Sequence, residues 1–289
     1  MAHSPRLQDP PTTLAELLAW GQAQLAPRPA REARLLIAHV LACDPIRLLT
    51  EDEMPVTKAQ AAHYKNLIAR RVCHEPVARL IRRRAFWQHT FLVTRDVLDP
   101  RPDSETLIET ALEARLPDQA WVLDLGTGSG CLLLSLLQAR PDLVGVGVDV
   151  CPRALKVARY NASQMGLTGR ATFHQGDWRN PQWSFAPFHA ILSNPPYIRR
   201  AALQTLAPEV RLYDPVRALD GGKDGLTAYR QIIPRFAGLL HRDGAVFIEV
   251  GAGQSEAVTD MMRAAGLDIA GITQDLGGHP RCIHGIFRP

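Results

Sequence analysis

Trp121-Val122-Leu123-Asp124-Leu125 is a short apolar run that stops at Gly126-Thr127-Gly128-Ser129-Gly130, and Cys131-Leu132-Leu133-Leu134-Ser135-Leu136-Leu137 then follows a helical pattern. A strand, a glycine-rich turn and a helix form the front half of a nucleotide-binding βαβ unit. Glycines let the backbone approach a ligand closely, and a helix N-terminus offers unpaired N–H groups. The next apolar run, Val144-Gly145-Val146-Gly147-Val148, ends in Asp149, about 20 residues past the glycines, where an acidic side chain is placed to hold ribose hydroxyls. Asp149 as an N-cap for the helix after Pro152 is the plainer alternative. The dinucleotide form Gly-x-Gly-x-x-Gly is not met, because Cys131 occupies its last position. The turn alone leaves a dinucleotide and other adenosine-bearing cofactors open.

A second, independent signal narrows the choice. Phe188-His189-Ala190-Ile191-Leu192-Ser193 reads as a buried strand, and Asn194-Pro195-Pro196-Tyr197 closes it. Proline lacks the N–H of the ladder and fixes φ, so the strand must stop and a rigid loop begins. Open α/β sheets bind their ligands at the carboxyl ends of strands. There the Asn194 side-chain oxygen and the Pro195 carbonyl form a pair of acceptors suited to a substrate –NH2 group, with Tyr197 as an aromatic wall. Turn capping by Asn194 and simple punctuation by the prolines stay open at this point. Taken with the glycine turn, the loop favours S-adenosylmethionine as the cofactor.

From residue 120 onward, strands are expected near 121–125, 144–149, 171–175, 188–193, 245–250, 269–273 and 282–287. Helices are expected near 130–139, 152–165, 227–240 and 254–265. This alternation implies an α/β fold with a mainly parallel sheet covered on both faces. Residues 199–226 show charges, prolines and little periodicity, and are placed to act as a substrate-facing flap. Upstream, Leu14, Leu17, Leu18 and Leu25, then Ala33, Leu36, Ile37, Val40 and Leu41, fall at helical spacing and imply a small helical bundle. The expected domains are 1–84, helical; 85–100, a β-hairpin linker; and 101–289, the α/β domain. Asp103 or Ser104 is expected to cap the helix that follows.

With 289 residues, 46% of them apolar, the chain can bury a substantial core, and no apolar stretch approaches the ~18 residues of a membrane span. Met1 to Thr12 lacks an apolar region and is read as a tail rather than a signal peptide. Five scattered cysteines, with no Cys-x-x-Cys pair, indicate reduced thiols, no zinc site and a cytoplasmic protein. The net charge of +4 is uneven: residues 1–84 carry 13 Lys/Arg against 8 Asp/Glu, and the remainder carries 20 against 21. The basic excess around Arg82-Arg83-Arg84 is read as a solvated face, with an acidic or RNA-adjacent partner as the alternative. His174, His189, His279 and His284 show no ligand spacing, and no metal is expected.

These residues resemble the peptide chain release factor protein-(glutamine-N5) methyltransferase family. The carriers are Arg31 to His39, Pro100-Arg-Pro-Asp-Ser-Glu105, Asp124 to Gly130, Ser193-Asn-Pro-Pro-Tyr197, Glu249-Val-Gly-Ala-Gly-Gln254 and Asp275-Leu-Gly-Gly-His-Pro-Arg281. The resemblance implies a class I S-adenosylmethionine-dependent methyltransferase fold, Rossmann-like with a seven-stranded, mostly parallel sheet and an antiparallel last strand. A helical domain that recognises the release factor would precede it. It further implies that Gly126, Thr127, Gly128, Ser129 and Gly130 lie along the methionine part of the cofactor, that Asp149 binds its ribose, and that Trp178 sits by the adenine, with Asn194 also near the cofactor. Asn194, Pro195, Pro196 and Tyr197 would hold the glutamine of the release factor's Gly-Gly-Gln loop, Asn194 and Pro195 carrying the catalysis. Glu249 is read as a structural hydrogen-bonding group. Two departures bear on the hairpin: Asp99 replaces a usual apolar residue, and the common linker glycine is replaced around Arg82 to Arg84. The alternative functions are glutamine methylation of a ribosomal protein and adenine-N6 methylation of nucleic acid, the latter disfavoured because the catalytic half has no basic excess. A release factor as partner, no direct nucleic-acid contact, no membrane and a monomer are expected.

Overall fold

The computed structural model describes residues 13–25, 30–49, 54–179 and 187–288; the amino-terminal tail, residues 1–12, lies outside them. The chain divides into two compact units with the break between Arg82 and Arg83. The first unit holds α1 (Leu14–Leu25), α2 (Ala30–Leu41), α3 (Lys58–Val72) and α4 (Val77–Ile81). Leu14, Leu17, Leu36, Ile37, Tyr64 and Leu67 lie at the helical spacing that puts one stripe inward, and all are buried in a single core. A capping box starts α3: Thr57 accepts from the Gln60 N–H, and Gln60 accepts from the Thr57 N–H. Arg82 ends α4 at φ +56°, a left-handed position that glycine adopts without strain.

The second unit opens with the hairpin β1 (Arg83–Phe86) and β2 (His89–Leu92), paired Arg83 to Leu92 and Phe86 to His89. The two departures from the family pattern meet here. Arg84 Nε stands 3.4 Å from the Oδ1 of buried Asp99 and donates to the Pro100 carbonyl at 2.9 Å. A charge that would be costly alone is thereby paired.

The chain continues through α5 (Glu105–Glu113), β3 (Trp121–Leu125), α6 (Cys131–Ala139), β4 (Val144–Asp149), α7 (Pro152–Gln164), β5 (Ala171–Gln175), β6 (Phe188–Ser193), α8 (Pro208–Tyr213), α9 (Thr227–Ile232), α10 (Phe236–Leu239), β7 (Leu240–Glu249), α11 (Ser255–Ala264), β8 (Leu267–Gln274) and β9 (Pro280–Phe287). Among the described residues seven strands form one sheet in the order β5-β4-β3-β6-β7-β9-β8. β5 through β7 run parallel, and β9 enters antiparallel between β7 and β8. The central strands β3, β4 and β6 are buried on both faces and read as continuous apolar runs, while the edge strands β5 and β8 each leave one face exposed. In β3, Val122 faces the α5–α6–α7 layer, and Leu123 and Leu125 face the α9–α11 layer. Gly147 keeps β4 thin at one point, since a Cβ there would lie 2.6 Å from the Phe173 ring and 2.9 Å from Thr127 Oγ1.

Three expectations need correction. The helix expected over 227–240 is broken: Pro234 sits in a 3₁₀ turn, Ile233–Arg235, that separates α9 from α10. The flap is more ordered than its lack of periodicity implied, carrying 3₁₀ turns at Arg200–Thr205 and Val216–Ala218 on either side of α8. Ser104 occupies the position before α5 but makes no capping bond there, because its hydroxyl is committed to Glu249.

Candidate active site

The strand order reverses between β3 and β6: the chain proceeds outward from β3 to β4 and β5 on one side, and from β6 to β7 on the other. Loops leaving the carboxyl ends of β3 and β6 therefore diverge and leave a crevice. A cavity of about 350 Å³ occupies it, of the size that takes a small ligand.

The β3–α6 turn forms one wall. Gly126 and Gly128 adopt φ +81° and +54°, and the N–H groups of Gly126 and Thr127 both donate to the Val148 carbonyl, which ties the turn to β4. Gly126, Thr127, Gly128 and Ser129 line the cavity. Gly130 instead supports the start of α6 from behind, where a Cβ would come within 3.0 Å of Leu134 and 3.3 Å of Ala158. Asp149, at the end of β4, also lines the cavity. Its Oδ2 accepts from the Gly128 N–H at 3.0 Å and its Oδ1 from the Cys151 N–H at 2.8 Å. Asp149 braces the turn before α7 without capping the helix, whose cap position is Cys151, and each oxygen keeps a lone pair. Burial raises its pKa.

Trp178 follows β5 and reaches over the turn, so close that a Cβ on Gly126 would sit 3.3 Å from its ring. Its indole N–H donates to Gln231 Oε1 at 3.2 Å, which holds the ring from α9. Behind the turn, buried Asp124 accepts from Thr127 Oγ1 at 2.6 Å through one oxygen, while the other has no hydrogen-bond partner. Burial, aided by the nearby charge of Asp149, pushes Asp124 up to about 7. A glycine cradle, a ring wall and a carboxylate with free lone pairs together fit a nucleoside-bearing cofactor.

The second wall follows β6. Asn194 and Pro196 line the cavity; Pro195 is buried, and Tyr197 turns its hydroxyl to Glu249 Oε1 at 3.2 Å. Asn194 Nδ2 donates to Ser104 Oγ at 2.9 Å, and Ser104 Oγ donates to Glu249 Oε2 at 2.5 Å. Glu249 is almost fully buried, and burial lifts its carboxyl to about 7 against the opposing pull of Ser104 and Arg281. Gln254 Nε2 holds the Tyr197 and Gly225 carbonyls at 3.0 and 3.2 Å. The flap closes on the same loop: the Gly221 N–H donates to the Ile198 carbonyl, the Ile198 N–H to the Leu219 carbonyl, and a Cβ on Gly221 would lie 2.8 Å from the Tyr197 backbone.

Gln231 and Gln254 are not singled out from the sequence, and Ser104 stands there only as a candidate helix cap. Ser104 and Gln254 lie inside the Pro100–Glu105 and Glu249–Gln254 stretches, so the ordered motifs carried the signal without its meaning. Gln231 stands on an ordinary helix and left no such trace.

The family model described as the PrmC N-terminal domain matches residues 16–81, and one described as a methyltransferase domain matches residues 117–226. The release factor glutamine methyltransferase of Rhodospirillum rubrum is 44% identical over 256 residues, covering 89% of this chain and 78% of that protein. A protein of the same description from Cereibacter sphaeroides is 42% identical over 256 residues, covering 88% of this chain and 90% of its own. The crystal structure of a methyltransferase from Pyrococcus furiosus superposes with a TM-score of 0.50 at 15% identity, over 67% of this chain and 86% of that one, a likeness of fold alone. Similarity of this extent, running through both units, makes the chain a methyltransferase belonging to the release factor glutamine methyltransferase family.

Proposed function

We propose that this chain transfers a methyl group from S-adenosylmethionine to the side-chain amide nitrogen, N5, of the glutamine in the Gly-Gly-Gln loop of a peptide chain release factor. The observation that carries this reading is the Asn194 carboxamide on the cavity wall opposite the glycine turn, its Nδ2 already engaged by Ser104. The cofactor supplies a methyl on a cationic sulfur, open to nucleophilic attack. Gly126 to Ser129, Asp149 and Trp178 would hold it, with Gly130 supporting the turn from below.

The protein's task is to position a poor nucleophile. An amide nitrogen shares its lone pair with its carbonyl. With one N–H donated to Asn194 Oδ1 and the other to the Pro195 carbonyl, the nitrogen is oriented and its pyramidal form is favoured. That form belongs to the transition state, so the two acceptors stabilise it differentially. Pro196 and Tyr197 enclose the glutamine side chain and exclude water. No strong base is required, because the nitrogen becomes acidic only as it is methylated. The first unit would read the body of the release factor.

The test offers labelled S-adenosylmethionine together with an intact release factor, a ribosomal protein fraction and unmethylated DNA, followed by mass spectrometry of the products. One methyl on the loop glutamine, absent when that glutamine is replaced, is the expected result. Label on a ribosomal protein or on adenine instead overturns the assignment.

Cofactor binding has its own check. Gly126→Val is expected to weaken S-adenosylmethionine binding at least ~10-fold by calorimetry, because a β-branched residue is an outlier at positive φ. Its side chain would also press on Trp178. Unchanged affinity would remove the glycine turn from the cofactor site.

A further inference from the structure

Glu249 was read from the sequence as a structural group, yet it is joined through hydrogen bonds to both side chains of the acceptor loop. We infer that Ser104 and ionised Glu249 form a directional hydrogen-bond relay that sets which way the Asn194 carboxamide faces, making both of them positioning residues for the methyl acceptor. This rests on the reading of Asn194 given above.

The direction follows from counting donors. A carboxylate only accepts, and a serine hydroxyl has one hydrogen to give. Ser104 gives that hydrogen to Glu249 Oε2 at 2.5 Å, so toward Asn194 it can only accept. The bond at 2.9 Å must then come from Asn194 Nδ2, and the flipped carboxamide would set oxygen against oxygen. Oδ1 is left for the substrate. The other oxygen of the same carboxylate accepts from the Tyr197 hydroxyl at 3.2 Å. One buried carboxylate at the end of β7 thus orients the first and last side chains of the Asn-Pro-Pro-Tyr loop, with little water to compete for its lone pairs. Ser104, Glu249 and Asn194 come from three distant stretches of chain, at the start of α5, the end of β7 and the end of β6, which is the arrangement expected of support built around a reacting group.

The relay reverses if Glu249 gains a proton. A neutral carboxyl can donate to Ser104 Oγ, which frees the serine hydrogen for Asn194 Oδ1. Burial places this event at about 7. The charged and titratable groups around Glu249 are Asp103 before α5, Cys131 on α6, Tyr197 on the loop, Tyr229 on α9, and Arg281 and Cys282 on β9. Of these, Arg281 favours the carboxylate and Asp103 opposes it, while burial pushes both thiols up to about 12 and raises both tyrosines.

A double-mutant cycle separates positioning from mere structural support. Methyl transfer to an intact release factor is measured with both substrates saturating, alongside S-adenosylmethionine affinity, for Ser104→Ala, Ser104→Thr, Asn194→Ala and the Ser104→Ala/Asn194→Ala pair. Ser104→Ala is expected to lower kcat ~10- to 30-fold with cofactor affinity nearly unchanged, and Ser104→Thr, which keeps the hydroxyl, to restore most of the rate. In the Asn194→Ala background the serine substitution should cost little more. The acid limb of the kcat profile, near pH 7 in the natural protein, should vanish in Glu249→Gln. That variant also carries the cycle should Ser104→Ala not fold. Equal losses from the serine substitution in both backgrounds, or a wild-type rate for Ser104→Ala, overturn the relay while leaving the acceptor reading intact. A full rate for Asn194→Ala would instead remove the acceptor reading itself.

Discussion

Replacing Asn194 by alanine is expected to slow methyl transfer to a release factor ~10²- to 10³-fold, the usual loss when one preorganised polar contact to a developing charge is removed. The site explains why the loss should fall on the rate. Asn194 lies where β6 ends and two prolines stiffen the chain, and its Nδ2 is held by Ser104, so in the proposed reaction its oxygen would meet the substrate without reorganising. Water filling the space left by alanine could accept a hydrogen bond but would not hold the amide nitrogen in line. The proposed cofactor cradle, the β3–α6 turn with Asp149 and Trp178, is held by bonds that do not involve this side chain. Single-turnover rates fall while calorimetric affinity for S-adenosylmethionine changes only a few-fold. Parallel losses in both would make Asn194 a cofactor-binding residue with no separate part in the reaction.

The second large effect is on stability and comes from Asp124. Its carboxyl is raised from the ordinary 3.8 to about 7, first by burial and then by Asp149. The folded state therefore holds a proton that the unfolded chain has already released between roughly pH 4 and 7. The stability tied to that proton is complete below the unfolded value and is lost as pH rises through about 7. Over the interval from about pH 5 to pH 8 the loss is on the order of 3 kcal/mol, at 1.36 kcal/mol per pKa unit. Asp124→Asn keeps an oxygen for the Thr127 hydroxyl and cannot ionise. The apoprotein variant is expected to gain on the natural protein by roughly 6–12 °C in melting temperature between those two pH values. His189 and His284, whose pKa values burial lowers, act in the opposite sense over part of this window, but they are common to both proteins and cancel in the comparison. A melting-temperature gap that does not move with pH would mean that Asp124 stays ionised when folded.

Much of this was legible because the decisive residues break a pattern. Glycines at the end of an apolar run, and an asparagine followed by two prolines at the end of another, each announce a strand terminus. Strand termini are where this class of sheet builds its sites. The central strands were readable for a related reason: burial on both faces leaves no polar phase to misread. Local pattern failed where long-range contacts decide. Ser104 has the identity and placement of a helix cap, and only the approach of Glu249, 145 residues away, takes its hydroxyl elsewhere. Pro234 could be seen, but its consequence depended on how much of the following segment joins β7. Asp99 and Arg84 each look like a departure alone and become intelligible as a pair.

Gly221 carries a mechanical consequence. Its backbone is seated against that of Tyr197 with no room for a methyl group, and hydrogen bonds stitch residues 198 to 219 and 221 on one side and 197 to 254 on the other. Admission of a bulky protein loop and departure of the modified product cannot begin by peeling the flap away from the acceptor loop. Any widening that spares those bonds must swing both segments as one piece.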